Sequence, residues 1–339
     1  MKLINTEDAV GHVICHDITQ IIPGVTKDAR FRKGHIVTQE DIPVLLSLGK
    51  EHLYVWEMDE NMLHENDAAL RLLKLCQNDN MHPSSIKEGK IELITDTDGF
   101  FRVDSTRLHD LNMCDELMIA TRHGNTAVKA GEKLAGMRVI PLVIKKVKLE
   151  AAEKISGTEP LLQLIPWKLK TAGIIVTGSE VYKGRIEDKF SPVVEEKLKG
   201  YGISVTKRIF CDDNNEMICS AINEVRQSGA DLVVCTGGMS VDPDDRTPGA
   251  IKESGADIVS YGSPVLPGAM LLVGYYSDGT PVLGLPGCVM YSKATVFDLV
   301  MPWIAAGVKI TKRDIASYGE GGLCLGCKEC HFPICPFGK

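Results

Sequence analysis

Residues 231–248 read DLVVCTGGMSVDPDDRTP. Asp231–Cys235 is an apolar run of strand length, Thr236-Gly237-Gly238 is turn chemistry, and Asp245-Arg246-Thr247-Pro248 can open a helix with proline in its first turn. A buried strand that passes through a glycine turn into a helix is half of a βαβ unit, and its neighbours complete the pattern. Upstream, Ile218, Ala221, Ile222 and Val225 lie at i, i+3, i+4 and i+7, which predicts an amphipathic helix. Ser204–Phe210 reads as the strand before it. Ser191-Pro192 opens an earlier helix, stopped by Gly200 and Gly202, and Ala172–Val176 is a buried-type strand. Downstream, Pro281–Leu285 is a further strand, and Met290, Ala294, Phe297 and Met301 mark a last helix. Alternation of this kind over 171–307 predicts an α/β domain of three layers with a mostly parallel sheet.

The chain before it has another texture, predicted as α+β. Residues 1–56 mix short apolar runs with turns and contain a helix, Asp41–Leu48, closed by Gly49 ahead of the strand His52–Trp56. Residues 57–150 begin with a polar, acidic stretch around one helix, Ala68–Cys76. There IELIT and FFRV flank Asp96-Thr97-Asp98-Gly99, a hairpin signal, and the β-branched run MRVIPLVIKKV follows. Residues 151–170 read as a linker helix, and 308–339 as a cysteine-rich tail.

Composition narrows the function. The 339 residues carry 38 Lys and Arg against 45 Asp and Glu, a net charge of −7, with 44% apolar and 6% aromatic residues. An acidic chain poor in aromatics offers no basic field to a phosphate backbone, so nucleic acid is not expected as a partner. No apolar run approaches a membrane span and MKLINTEDAVGH lacks a signal-peptide core, so a cytoplasmic protein without membrane contact is expected. Seven scattered cysteines (Cys15, Cys76, Cys114, Cys211, Cys219, Cys235, Cys288) have no framework spacing and read as small buried hydrophobes. Gly-x-Ser-x-Gly, Walker and His-Glu-x-x-His motifs are missing.

Three strands of the α/β half run into glycine-bearing turns: Val176-Thr177-Gly178-Ser179-Glu180, Thr236-Gly237-Gly238-Met239-Ser240 and Gly284-Leu285-Pro286-Gly287. A parallel sheet brings these turns to one edge, where open α/β folds bind ligands. Glycine lets backbone N–H groups approach an anion, and Thr177, Ser179, Thr236 and Ser240 add hydroxyls. Glycines in such turns can equally be turn residues alone. Glu180, Asp188, Asp242, Asp244 and Asp245 accompany the loops. Carboxylates beside a phosphate repel it unless a divalent cation intervenes, which makes Mg²⁺ the natural third party, with helix capping or solvation as the plainer alternative. Lys27–His35 (KDARFRKGH) is a basic patch or a solvated turn, and His123-Gly124-Asn125 is loop chemistry.

TGSE, GRIEDKFSP, TGGMSVDPDDRTP and GLPG together resemble the molybdopterin-binding domain shared by MoeA-type molybdenum transferases and MogA-type adenylyltransferases. The resemblance covers 171–307, and AVGHVICHDIT and FRKGHIVTQEDIPVLLSLGKEHLYV are similar to parts of the MoeA-type N-terminal half. It implies binding of molybdopterin and molybdate insertion into its adenylylated form, a homodimer, and a recipient molybdoenzyme. Carried over by position, Glu180, Asp188 and Asp245 fall on the acidic catalytic motif. Thr177, Gly178, Ser179, Thr236, Gly237, Gly238, Ser240, Thr247, Pro286 and Gly287 fall on the cofactor-binding loops. The chain departs from the pattern at Val265-Leu266-Pro267-Gly268-Ala269-Met270, where the family carries lysines, and at Gly287-Cys288-Val289, where it carries Gly-Asn-Pro. It also lacks the family's Asn-Ser-Ala-Met-Asp-Gly-Tyr segment. Two alternatives follow: a non-catalytic protein that binds or delivers the cofactor, and a nucleotide pyrophosphatase like the CinA-type proteins.

The chain closes with Cys324-x2-Cys327-x2-Cys330-x4-Cys335-Pro336. Four thiolates at these intervals can surround Zn²⁺ or ligate a 4Fe–4S cluster. The run is similar to bacterial ferredoxins apart from a last gap of four residues instead of three, and His331 could serve as a nitrogen ligand to zinc. The preceding Gly319-Glu320-Gly321-Gly322 reads as a flexible tether.

Overall fold

The computed structural model describes residues 2–22, 26–55, 61–240, 242 and 245–339; Trp56 and Asp244, named above, lie outside them. The chain forms two compact units, one of residues 1–96, 103–122 and 131–163, the other of residues 97–102, 123–130 and 164–339.

The second unit holds a six-stranded sheet: β1 (Thr171–Thr177), β2 (Ser204–Cys211), β3 (Leu232–Thr236), β4 (Asp257–Tyr261), β5 (Leu272–Tyr275) and β6 (Pro281–Leu285), in the order β2-β1-β3-β6-β5-β4. The first four in that order are parallel, while β5 is antiparallel to both β6 and β4. Helices α1 (Ser179–Tyr182), α2 (Phe190–Lys199), α3 (Asn215–Gln227), α4 (Thr247–Glu253), α5 (Val296–Ala305) and α6 (Lys312–Ser317) complete it.

Strand periodicity decides the layers. Ile174, Val176, Leu232, Val234, Leu283 and Leu285 face a core shared with Val194 and Leu198 of α2 and with α5. The alternate residues Ile175, Val233, Cys235 and Val282 face Ile218, Ala221, Ile222 and Val225 of α3 and Ala250 and Ile251 of α4. This is the three-layer arrangement read from the sequence. Gly173 lets α3 lie close over β1: a Cβ there would stand 2.3 Å from Val225 Cγ1.

The last helix differs from its reading. Met290 belongs to a short 3-10 turn, Gly287–Met290, and α5 starts only at Val296. Every residue of α5 but Asp298 is fully enclosed, so the segment shows no apolar stripe to find. Asp298 completes a capping box with Thr295 and meets Lys197 Nζ at 2.5 Å.

IELIT and FFRV are both strands, yet they do not form the predicted hairpin. Ile91–Thr95 joins a four-stranded antiparallel sheet of the first unit, ordered 81–83, 91–95, 133–139, 117–121. Gly99–Val103 sits instead between strands Thr126–Val128 and Leu162–Pro166. Asp98, expected to make the turn, accepts from the Ala130 amide at 2.9 Å and from Lys129 Nζ at 2.7 Å, and so fastens the chain to the 126–130 segment. The stretch 151–170 is part helix and part strand: the helix Lys146–Ser156 ends at Gly157 (φ +68°), and Leu162–Pro166 follows.

The first unit is α+β, with helices Asp41–Ser47, Glu65–Cys76, Ser105–Asn112 and Lys146–Ser156. Gly49 (φ +72°) follows the first of these, as expected. Within the basic patch, Lys33 Nζ lies 3.1 Å from His64 Nδ1. No described helix is long and apolar enough to cross a membrane.

The tail is no tether. Gly322 and Cys324 bond across to Leu266 (N–H of Leu266 to the Gly322 carbonyl, 2.8 Å; N–H of Cys324 to the Leu266 carbonyl, 2.8 Å), and Phe337 is 3% exposed within the core that contains α5. A Cβ at Gly321 would stand 2.2 Å from the Lys339 carbonyl oxygen, so the glycines of this segment serve close packing rather than freedom.

Candidate functional site

The carboxyl ends of β1 and β3 lie side by side, and the turn Gly237-Gly238 is built on them. Both glycines have left-handed backbones, φ +85° and +54°. A Cβ at Gly237 would stand 2.1 Å from the Thr177 carbonyl oxygen, and one at Gly238 2.9 Å from Thr247 Oγ1. Glycine is therefore required twice. The hydroxyl of Thr177 donates to the Thr236 carbonyl at 3.1 Å and lies 3.0 Å from that of Thr247. With the Thr177 proton on that carbonyl, Thr247 is the donor of the second bond. Thr177, Thr236 and Thr247 are all buried. The hydroxyls of Thr177 and Thr247 thus brace the base of the turn. Among the described residues no acceptor engages the amides of Gly238 and Met239, the arrangement that suits an anion. Above lies a cavity of about 520 Å³ lined by Thr177, Thr236, Gly237, Asp188, Phe190 and Met290, among others.

The other expected residues distribute unequally. Asp188 reaches that cavity, yet its oxygens already cap α2: Oδ1 accepts from the amides of Phe190 (2.9 Å) and Ser191 (3.0 Å), and Oδ2 from the Ser191 hydroxyl. Capping at this end thus comes from Asp188, with Ser191 inside the first turn. Glu180 lies on α1 and is exposed. Asp245 folds back on its own loop, its Oδ2 3.3 Å from the Asp242 amide. Pro286 and Gly287 follow β6 at the same sheet edge but do not line the cavity. Among the described residues no three acidic, histidine or cysteine side chains converge on one metal position. The carboxylates alone make no Mg²⁺ cage.

Two contributions escaped the sequence reading. Gly178-Ser179 is held by the loop after β2: the Ser179 amide donates to Asp213 Oδ2 at 2.9 Å, and the Ser179 hydroxyl to Asp212 Oδ1. The Ser179 hydroxyl and the Asp213 amide hold the Asp212 carboxyl below the usual carboxylate range. The signal was the acidic pair directly after a strand that shares the ligand edge. Tyr261, on β4, donates to the carbonyls of Met239 (3.0 Å) and Ser240 (3.3 Å) and so fastens the far side of the glycine loop. Burial, with the Asp245 carboxylate nearby, pushes its phenol up and keeps it a donor at neutral pH. Burial likewise raises the Cys288 thiol, opposite to what a thiolate ligand needs.

Fold and site define an α/β domain with a glycine turn, braced by buried threonines, at the carboxyl edge of a mostly parallel sheet. Residues 173–306, about two fifths of the chain, match the family described as "Probable molybdopterin binding domain". Residues 3–57 match a "Domain of unknown function (DUF8806)", so the N-terminal segments taken above as MoeA-like fall in a family of no assigned role. Curated relatives include a CinA-like protein of Mycobacterium tuberculosis, 33% identical over 76 residues, and one of Mycobacterium sp. (strain JLS), 36% identical over 76 residues. Each match covers 22% of this chain and 18% of the relative, so the chain spans less than a fifth of their length. Among solved structures, the molybdopterin biosynthesis enzyme MoaB of Thermus thermophilus is 23% identical with a TM-score of 0.36, covering 40% of this chain and 91% of its own.

Proposed function

We propose that this protein binds molybdopterin and acts in molybdenum-cofactor assembly, inserting molybdate into the adenylylated pterin. The observation that carries the reading is the Gly237-Gly238 turn, left-handed at both glycines and braced by buried threonines, beside a cavity of about 520 Å³ that Gly237 lines. Phosphate of the ligand sits on the amides of this turn, with the pterin in the cavity. Pro286 and Gly287 lie at the same edge to meet the remainder of the ligand. A Mg²⁺ ion bound here would need ligand phosphates as well as protein carboxylates to complete its coordination, and would supply positive charge against the phosphate. Glu180, exposed, and Asp245, on the loop after the glycine turn, are the carboxylates assigned to hold it, while Asp188 orients α2. The residues here bind and position the ligand around the ion. A homodimer and a recipient molybdoenzyme belong to the same reading.

The match to CinA-like proteins favours a second reading, a nucleotide pyrophosphatase, and the lysine-free loop 265–270 is compatible with it and with a protein that only binds or delivers the cofactor. One experiment separates the three: the full chain is titrated with molybdopterin and with ADP-ribose, each with Mg²⁺, and products are followed with and without molybdate. Pterin binding with molybdate-dependent release of nucleotide supports insertion. Pterin binding without turnover leaves delivery. Hydrolysis of ADP-ribose with no pterin bound selects the pyrophosphatase and overturns the first proposal.

A further inference from the structure

The cysteine tail is independent of the glycine-turn site and carries its own chemistry. Cys324, Cys327, Cys330 and Cys335, distributed over twelve residues, all line one cavity of about 370 Å³. The tail is fastened on both sides of that cavity, by the paired contacts of Gly322 and Cys324 with Leu266 and by the Gly338 amide on the Gly321 carbonyl at 2.9 Å. Phe337 is locked into the core at one side, with the ring of Phe332 at 6.1 Å centroid to centroid. Between these anchors, Cys327 and Cys330 remain exposed. A set of thiols buried for packing alone would not leave two of the four in solvent.

We propose that these four cysteines hold a 4Fe–4S cluster in the cavity they share. Zinc would instead gather its ligands around a single point, with sulfurs about 2.3 Å away, and would leave one metal and no labile sulfide per chain. In a cubane each thiolate binds a different iron, so the ligands surround a shared volume, and all four of these thiols line one cavity. Lys293 and Lys328 line the same cavity and offset the charge of the deprotonated ligands, while the two phenylalanines supply the apolar side that limits solvent access. The connection after β6 walls both sites, with Met290 on the glycine-turn cavity and Ser292 and Lys293 on this one. The cluster thus lies next to the ligand site within one unit.

The test uses the full chain, purified without oxygen and reconstituted with ferric iron, sulfide and excess dithiothreitol, the thiol reducing part of the iron to ferrous as the cluster assembles. About four iron and four acid-labile sulfide per chain are expected, with a visible charge-transfer band that dithionite bleaches. The double variant Cys327→Ser/Cys330→Ser should lose bound iron by about fivefold or more, while Cys114→Ser, in the other unit, keeps it. Circular dichroism of the apo variants verifies the fold; should the double variant fail to fold, the metal and sulfide content of the unaltered chain still decides. One zinc per chain without labile sulfide, iron loading that ignores the double substitution, or no metal after reconstitution would each overturn the cluster. None of these results depends on pterin binding.

Discussion

The hydroxyl of Thr177 at the end of β1 stands 3.0 Å from that of Thr247 at the start of α4. This contact ties a strand end to a helix start 70 residues away, directly beneath the two glycines that face the ligand edge. The glycine turn is therefore positioned by buried side chains.

Replacing Gly237 by alanine tests that arrangement. The new Cβ would meet the Thr177 carbonyl at 2.1 Å with φ at +85°, so either the turn or the end of β1 must move. A cost of about 1–3 kcal/mol is expected, together with loss of molybdopterin binding by roughly tenfold or more. Thermal melting and ligand titration read the two effects. Gly184→Ala, at a left-handed position with open space around it, should show the backbone penalty without the loss of ligand.

Thr247→Val keeps the shape and deletes one hydroxyl. Thr177 retains its bond to the Thr236 carbonyl, so the stability loss should be about 1 kcal/mol. Its effect on ligand binding should be smaller than that of Gly237→Ala. Equal losses from the two variants would mean that Thr247 contacts the ligand itself.

The fold was legible wherever burial had a period. The stripe Ile218, Ala221, Ile222, Val225 and the strands that end in glycine turns stand where the pattern placed them, because one-sided burial writes itself into the sequence. Burial on all sides erases that signal, as in α5. The short strands β4, at the sheet edge, and β5 beside it, of five and four residues, left too little periodicity to read. Asp98-Gly99 carried hairpin chemistry, but local turn preference yielded to the bonds that Asp98 makes to Lys129 and Ala130. At the site, residue types pointed to the glycine turn. Which hydroxyls brace it and which carboxylate caps a helix depended on distances between segments, and no spacing encodes those.

Asp245→Asn isolates the carboxylate assigned to Mg²⁺. The substitution keeps size and hydrogen-bonding capacity, so the fold and the loop bond to the Asp242 amide should persist. Mg²⁺-dependent turnover should fall by about 100-fold or more if the carboxylate meets the ion. Unchanged turnover with an unchanged melting temperature would remove Asp245 from the mechanism.

Asp212 makes the Ser179 loop sensitive to acid. Its carboxyl is held below the usual range by the Ser179 hydroxyl first and then by the Asp213 amide. A group depressed on folding contributes stability above its unfolded pKa and loses it as pH falls through the folded one. The melting difference between the wild-type chain and Asp212→Asn should be constant from about pH 7 to 5 and shrink below about pH 4. A difference that stays flat down to about pH 3 would show that the carboxylate charge plays no part in holding Ser179.

Removal of residues 320–339 decides whether the tail is an appendage or a part of the domain. Phe337 is 3% exposed among α5 residues, and a Cβ on Gly338 would stand 2.3 Å from Leu299 Cδ2, so the chain end fills space against the helix. Phe337→Ala alone should cost about 3–5 kcal/mol, the range for emptying a buried aromatic site. The truncation should cost at least as much, since it also strips the Leu266 backbone of two partners and exposes Leu299. Both losses should appear in apo protein prepared with chelator, because they arise from packing and not from bound metal. A truncated apo chain that melts with the intact one would mean that the tail docks without stabilising the domain, and would leave ligand binding as its sole contribution.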